Sequence, residues 1–236
     1  MKLLELKNSM SQEGFRTSDP GARGEHGGEA DQHHRYALRF RGLGGRWRNG
    51  GLHLHPEFGR GQEVLGVAVE AARVTSRPGA GPRHIDFHPK KPFAYVINEL
   101  DSTITTYRKS GPVLAPLQTT PSCPDTFTGY STGAELWVGR DGRHVYVTNR
   151  GHDSIGVFAI DPSRGTLSPK QWVPTHGSVP RFFAFDRAER FLYVANQGGD
   201  TIFAYKVGHD GKLSPTRIKV AVGSPACIVF SRGASS

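Results

Sequence analysis

The chain has 236 residues, 36% of them hydrophobic, with 30 glycines and 16 prolines. That is enough apolar material for one core, and glycine and proline in excess without a collagen period call for many tight turns. The formal charge of +9 raises nucleic acid as a partner, but the basic residues are dispersed, with no Lys/Arg run, zinc-finger spacing or RNP-like aromatic motif, so none is expected.

The N-terminal MKLLELKNSM has a short apolar run broken by Glu5 and Lys7. Neither an apolar signal core nor a small-residue cleavage site follows, so no signal peptide is expected. No stretch approaches the roughly 18–20 apolar residues of a membrane span. The two cysteines, Cys123 and Cys227, stand in no CxxC or metal-ligand spacing, and free thiols in a reducing compartment are the expectation. Together these features point to a cytoplasmic protein without a membrane partner.

Residues 1–71 are rich in Gly, Arg and His and show no strand or helix period. They read as a poorly ordered or aberrant segment, with a short helix over 64–74 as its regular candidate. From about Arg73 strand-like runs alternate with turn signals. FAYVINELDSTITTYR (93–108), VYVTNRGHDSIGVFAID (145–161) and LYVANQGGDTIFAYKV (192–207) follow one plan. Each has an aromatic strand ending in Asn, a short turn containing Asp, then Ser or Thr, Ile and an aromatic. Tyr95, Tyr146 and Tyr193 mark a repeat of 51 and 47 residues. Repeats of that length built from short strands predict an all-β propeller of four-stranded blades, with about three to four blades readable.

In the second unit the strands are 134–139, 144–149, 155–161 and an outer strand after Leu167. Alternation within YVTN and YVAN offers one face to each neighbouring blade. PACIVF (225–230) reads as a last strand that pairs with the other terminus. The domain plan is therefore 1–71 as a separate segment, 72–231 as a partial propeller and 232–236 as a tail. Asp101, Asp153 and Asp200 recur at one place in the repeat and read as turn caps. His88, His144 and His176 read as turn and surface residues.

GAGPRHIDFHP (79–89), AYVINELDSTITTY (94–107), TGAELWVGRDGRHVYVTNRGHDSIGVFAID (132–161), VPRFFAFD (179–186) and LYVANQGGDTIFAYKV resemble the seven-bladed β-propeller lactonase family. That family includes the bacterial propeller-type 6-phosphogluconolactonase and the fungal enzyme that cyclises 3-carboxy-cis,cis-muconate. The resemblance covers about residues 72–231. Seven blades need over roughly 300 residues, and the family's upstream His-containing motif has no convincing match in LHLHPEFG (52–59). The resemblance thus implies an N-terminally incomplete propeller, with self-association through an unclosed ring as a possible outcome.

Lactone hydrolysis needs a base for the attacking water and a cationic or hydrogen-bonding group for the oxyanion. After the strand-end Asn of each repeat stand Glu99, Arg150 and Gln197. Repeats conserve structural positions and diverge at functional ones. Glu99 is the candidate acid or base and Arg150 an anion clamp, while Gln197 is a substrate contact. The resemblance adds that muconate-cyclising relatives use an Arg, a Glu and a second Arg, which Arg83, Glu99 and Arg150 match. Arg83 and Arg181 share a Pro-Arg position at the start of an inner strand and are expected to bind an anionic small-molecule substrate. His84 is a candidate proton carrier and His152 a candidate contact. Glu135 is either a substrate-site carboxylate or the partner of a channel Arg. An inter-blade salt bridge is the alternative for Glu99 and Arg150. No metal spacing, phosphate loop or GxSxG elbow is present, and no metal or cofactor is expected. The expected activity is hydrolysis of a sugar lactone, 6-phosphogluconolactone first, with muconate cyclisation or a non-catalytic propeller fragment as alternatives.

Overall fold

The computed structural model describes residues 73–111 and 113–230, with the backbone of two short strands, β1 (Leu3–Leu4) and β2 (Ala37–Arg39). The expected poorly ordered segment and residues 64–72 of the expected helix lie outside the described residues. The described end of that helix is strand: β3 (Arg73–Thr75) pairs with β2.

Three four-stranded antiparallel sheets follow among the described residues. The first blade is β4 (Pro82–Phe87), β5 (Phe93–Asn98), β6 (Thr103–Ser110) and β7 (Val113–Pro121). The second is β8 (Thr132–Val138), β9 (His144–Arg150), β10 (Ser154–Ile160) and β11 (Leu167–Pro174). The third is β12 (Pro180–Phe185), β13 (Phe191–Asn196), β14 (Thr201–Val207) and β15 (Leu213–Ala221). Each sheet keeps its strands in chain order, so the first strands, β4, β8 and β12, come side by side. No helix among the described residues is long and apolar enough to cross a membrane.

The alternation sorts side chains between blades. Phe93, Tyr95 and Ile97 pack with Val145 and Val147 between the first two blades. Tyr146 faces the other way, with Leu192 and Val194, between the second and third. Two polar ties repeat at these seams. The Tyr95 hydroxyl donates to Gly165 O of the next blade at 3.0 Å, and Tyr146 donates to Gly211 O at 2.9 Å. Asn149 Nδ2 donates to Ser122 O at 3.0 Å and Asn196 Nδ2 to Thr175 O at 2.9 Å, each reaching back to the preceding blade's end. These amides are fully buried, so the bonds replace the water each would otherwise lose.

Three expectations are corrected. Asp101 is not the counterpart of Asp153 and Asp200. Asn98, Asn149 and Asn196 pair with Thr103, Ser154 and Thr201, which puts Ser102 in register with Asp153 and Asp200. All three residues have left-handed φ near 50°. Asp153 accepts from Val179 N and Asp200 from Ser224 N, whereas Asp101 accepts from Thr103 and pairs with Arg77. His88 and His144 are buried rather than superficial; His88 Nε2 meets Gly142 O of the second blade at 3.0 Å. The closing strand is shorter than 225–230: only β16 (Val229–Phe230) forms a ladder, with Leu4 and Leu3. Ser224 is left-handed and Pro225 has no N–H to donate, so the strand starts late.

A candidate lactone site on three inner-strand bulges

The first strand of every blade carries a β-bulge at the same place. In β4 Pro82 opposes Asn98 and His84 opposes Ile97, leaving Arg83 as the extra residue. In β12 Pro180 opposes Asn196 and Phe182 opposes Ala195, leaving Arg181. In β8 Gly133 opposes Asn149 and Leu136 opposes Val147, so Ala134 and Glu135 face a single residue, Thr148. Bulges re-aim side chains out of the ladder. Here they do so for Arg83 and Arg181, two of the candidate residues, while Glu135 shares its bulge with Ala134. Thr148 compensates part of the lost pairing by accepting from Glu135 N at 2.9 Å.

The structure brings five candidates together. Glu99, in the turn after β5, lies 3.4 Å from Arg83 Nε and pairs through its other oxygen with Arg150 Nη2. Arg150 also donates to Gly133 O at 3.2 Å, and Arg83 donates to Ala134 O. The two arginines are thus fixed by backbone carbonyls of β8 while sharing one carboxylate of the first blade. Next to Arg83, His84 Nδ1 lies 3.0 Å from Glu135 Oε1. Glu135 is 1% exposed, and its Oε2 has no hydrogen-bond partner among the described residues. Burial pulls the Arg83 guanidinium below its ordinary value. Glu135 and Glu99 counter that by favouring its charge, and Arg150 and Arg181 add repulsion.

The other three candidates sit differently. Arg181 is close enough to act on Arg83 but forms no ion pair among the described residues. Gln197 occupies the Glu99 and Arg150 position in the third blade, its N–H donating to Val179 O. His152 is held by Ser154 Oγ at 2.6 Å and packs edge-on against Phe127 at 4.6 Å, rather than joining the Glu99 pair. Burial lowers its basicity.

One residue escaped sequence reasoning. Asp86 accepts from Phe87 N and, across the seam, from Val138 N, both at 2.8 Å. Desolvation raises its carboxyl to about 6. The register aligns it with Trp137 and Ala184, so the signal was present: one acidic residue where the other repeats are apolar.

The site gathers the guanidinium groups of Arg83, Arg150 and Arg181 around the Glu99 and Glu135 carboxylates, and Arg181 forms no ion pair among the described residues. Such a site suits a compact anion beside a carbonyl, with cations for the oxyanion and a ring nitrogen for a proton.

The comparisons with known proteins agree in kind. A family model described as lactonase, seven-bladed β-propeller, matches residues 61–230. The 6-phosphogluconolactonase of Bacillus subtilis is 39% identical over 168 residues, covering 70% of this chain and 48% of that protein. The 6-phosphogluconolactonase of Erwinia tasmaniensis is 33% identical over 162 residues, covering 68% of this chain and 49% of that protein. Among solved structures, a Lactobacillus plantarum protein superposes with a TM-score of 0.68 at 32% identity, over 71% of this chain and 50% of that one. The Pseudomonas aeruginosa periplasmic gluconolactonase PpgL gives 0.65 at 35% identity, over 68% of this chain and 45% of that one. The chain spans about half the length of the curated relatives it matches. With its repeat, its blade seams and its matched residues taken together, the chain belongs to the seven-bladed β-propeller lactonase family.

Proposed function

We propose that this chain acts in the hydrolysis of a sugar lactone, with 6-phosphogluconolactone as its substrate and 6-phosphogluconate as its product. The observation that carries the reading is the Arg83–Glu99–Arg150 cluster with Arg181 beside it, a built cationic face next to a histidine. In this reading Arg83 and Arg150 stabilise the oxyanion that forms when water attacks the lactone carbonyl. Arg181 takes the phosphate, Gln197 and His152 contact the sugar, and Glu99 or His84 handles the proton. The names of the two curated relatives support the substrate.

The test is release of 6-phosphogluconate above the spontaneous rate, with 3-carboxy-cis,cis-muconate offered in parallel. Glu99→Gln is expected to cut turnover by about 10²-fold or more without unfolding the protein. Wild-type turnover of the muconate alone would replace hydrolysis by cyclisation, and unchanged kinetics in the variant would remove Glu99 from the mechanism.

Residues 72–231 form the propeller domain, preceded by the segment 1–71 and followed by a tail, 232–236; limited proteolysis is expected to spare 72–231, and cleavage within it would overturn these bounds. The setting is the cytoplasm, where free Cys123 and Cys227 stay reduced; recovery in a periplasmic fraction would overturn it. The chain also self-associates through its incomplete ring.

A further inference from the structure

Glu135 and His84 stand at the same position of adjacent first strands. His84 opposes Ile97 just past the bulge of β4, and Glu135 is the second residue of the bulge in β8. Oε1 of Glu135 accepts from its neighbour Leu136 N at 3.1 Å and lies 3.0 Å from His84 Nδ1. With Glu135 ionised, that oxygen accepts from both the Leu136 N–H and the ring, and Nδ1 is the donor. A proton on Nδ1 leaves Nε2 of a neutral ring as a lone-pair acceptor. Glu135 is 1% exposed, out of a substrate's reach, whereas the His84 side chain is 29% exposed. Both oxygens of Glu99, the other proton-carrying candidate, are engaged by guanidinium groups.

We propose that His84 is the proton carrier of this site and that Glu135 is its positioning residue, a buried carboxylate that fixes the ring's tautomer and balances the imidazolium. The assignment rests on the lactonase reading and narrows it. As the water oxygen bonds to the acyl carbon, one water proton passes to Nε2 and the carbonyl electrons move to the oxyanion. When the acyl carbon–ring oxygen bond breaks, that proton goes to the departing oxygen as a hydroxyl. Water and lactone become the hydroxy acid, and His84 returns neutral. The third repeat has Phe182 at this position, so the dyad occurs at one seam of the described blades. Arg83, Asp86 and Cys227 are also among the described groups that feel the field of Glu135.

Two measurements on the full chain test the assignment. Long-range ¹⁵N–¹H correlation, with His84 identified by its loss in His84→Gln, is expected to show the Nδ1–H tautomer in the wild type. Glu135→Met is expected to lose that preference. Glu135→Gln, which loses the charge and can turn its NH2 towards Nδ1, should weaken that preference as well. It should also lower kcat on the order of 10²-fold with little change in KM. A wild-type Nε2–H tautomer, or full kcat in a folded Glu135→Gln, overturns the dyad. The wild-type spectrum serves if the variants do not fold. A correct tautomer in a wild type that turns over no lactone would instead overturn the lactonase reading and leave the pairing in place.

Discussion

At the scale of single residues, position within a shared frame decides chemistry. Arg83 and Arg181 occupy the same bulge, yet Arg83 is tied to Glu99 and to Ala134 O while Arg181 has no ion pair among the described residues. In the proposed function Arg181 is the arginine that takes the ligand's phosphate. Arg181→Met is expected to raise KM for a phosphorylated lactone about tenfold or more, since a hydrogen bond to a charged group contributes roughly 1.5–3 kcal/mol. The unphosphorylated lactone should be unaffected, which steady-state kinetics on the two substrates will show. Asp86 makes a different prediction. Its folded value of about 6 lies above the ordinary 3.8, so folding favours the protonated form. The resulting stabilisation is full below about pH 4 and is lost as pH rises through about 6. Thermal melts from pH 4 to 7 should fall more steeply for the wild type than for Asp86→Asn. Parallel curves would show that Asp86 titrates normally.

At the scale of elements, the strands were legible because Tyr-Val alternation ending in Asn repeats three times. The strand ends match within about two residues, apart from the last strand. The bulges were not legible. Pro-Arg-His and Gly-Ala-Glu read as continuous strand, and the extra residue emerges only when β4 and β8 are paired with their neighbours. That gap hid the role of Glu135, whose partner lies on another blade. The register of Asp101 was missed for a separate reason: each repeat steps five residues from the strand-end Asn to a hydroxyl, Thr103, Ser154 or Thr201, and the Asp-Ser pair of the first repeat stands one residue early. Glu99 and Arg150 were legible for the opposite reason: different side chains at a repeated position stand out without any geometry. The turn glycines are a further element-scale constraint. Gly165 has φ 76°, and an added methyl group would meet the Phe93 ring of the preceding blade. Gly165→Ala should cost about 1–3 kcal/mol for the backbone alone and more for the clash, read as a lower urea midpoint.

At the scale of the whole molecule, each seam repeats a recipe: an aromatic–aliphatic layer, a tyrosine hydroxyl on a turn carbonyl, and a buried asparagine on the preceding blade's end. The outer face of the third blade carries Tyr193, Ala195 and Ile202, buried against Ile228 and Phe230, so self-association would have to displace that cover. The outer face of the first carries Ala94, Val96 and Leu114, with Val74 against it. These are the residue types that meet at the two internal seams. Light scattering after size exclusion at two concentrations is expected to show a rise in mass with concentration. A constant monomer mass would mean that a single chain covers both faces.

The tyrosine ties have a consequence for how the molecule comes apart. Tyr95 and Tyr146 each anchor a blade to the turn of the next. Contacts of this kind join only adjacent units, so stability behaves as a chain of nearest-neighbour couplings. Weakening one link does not thin the whole structure evenly; it lets the blades on its two sides melt as separate cooperative units. A propeller built this way carries its weakest seam as its fault line. The Arg83–Glu99–Arg150 cluster spans the seam between the first and second blades, so the integrity of the site is set by that one coupling rather than by the stability of either blade.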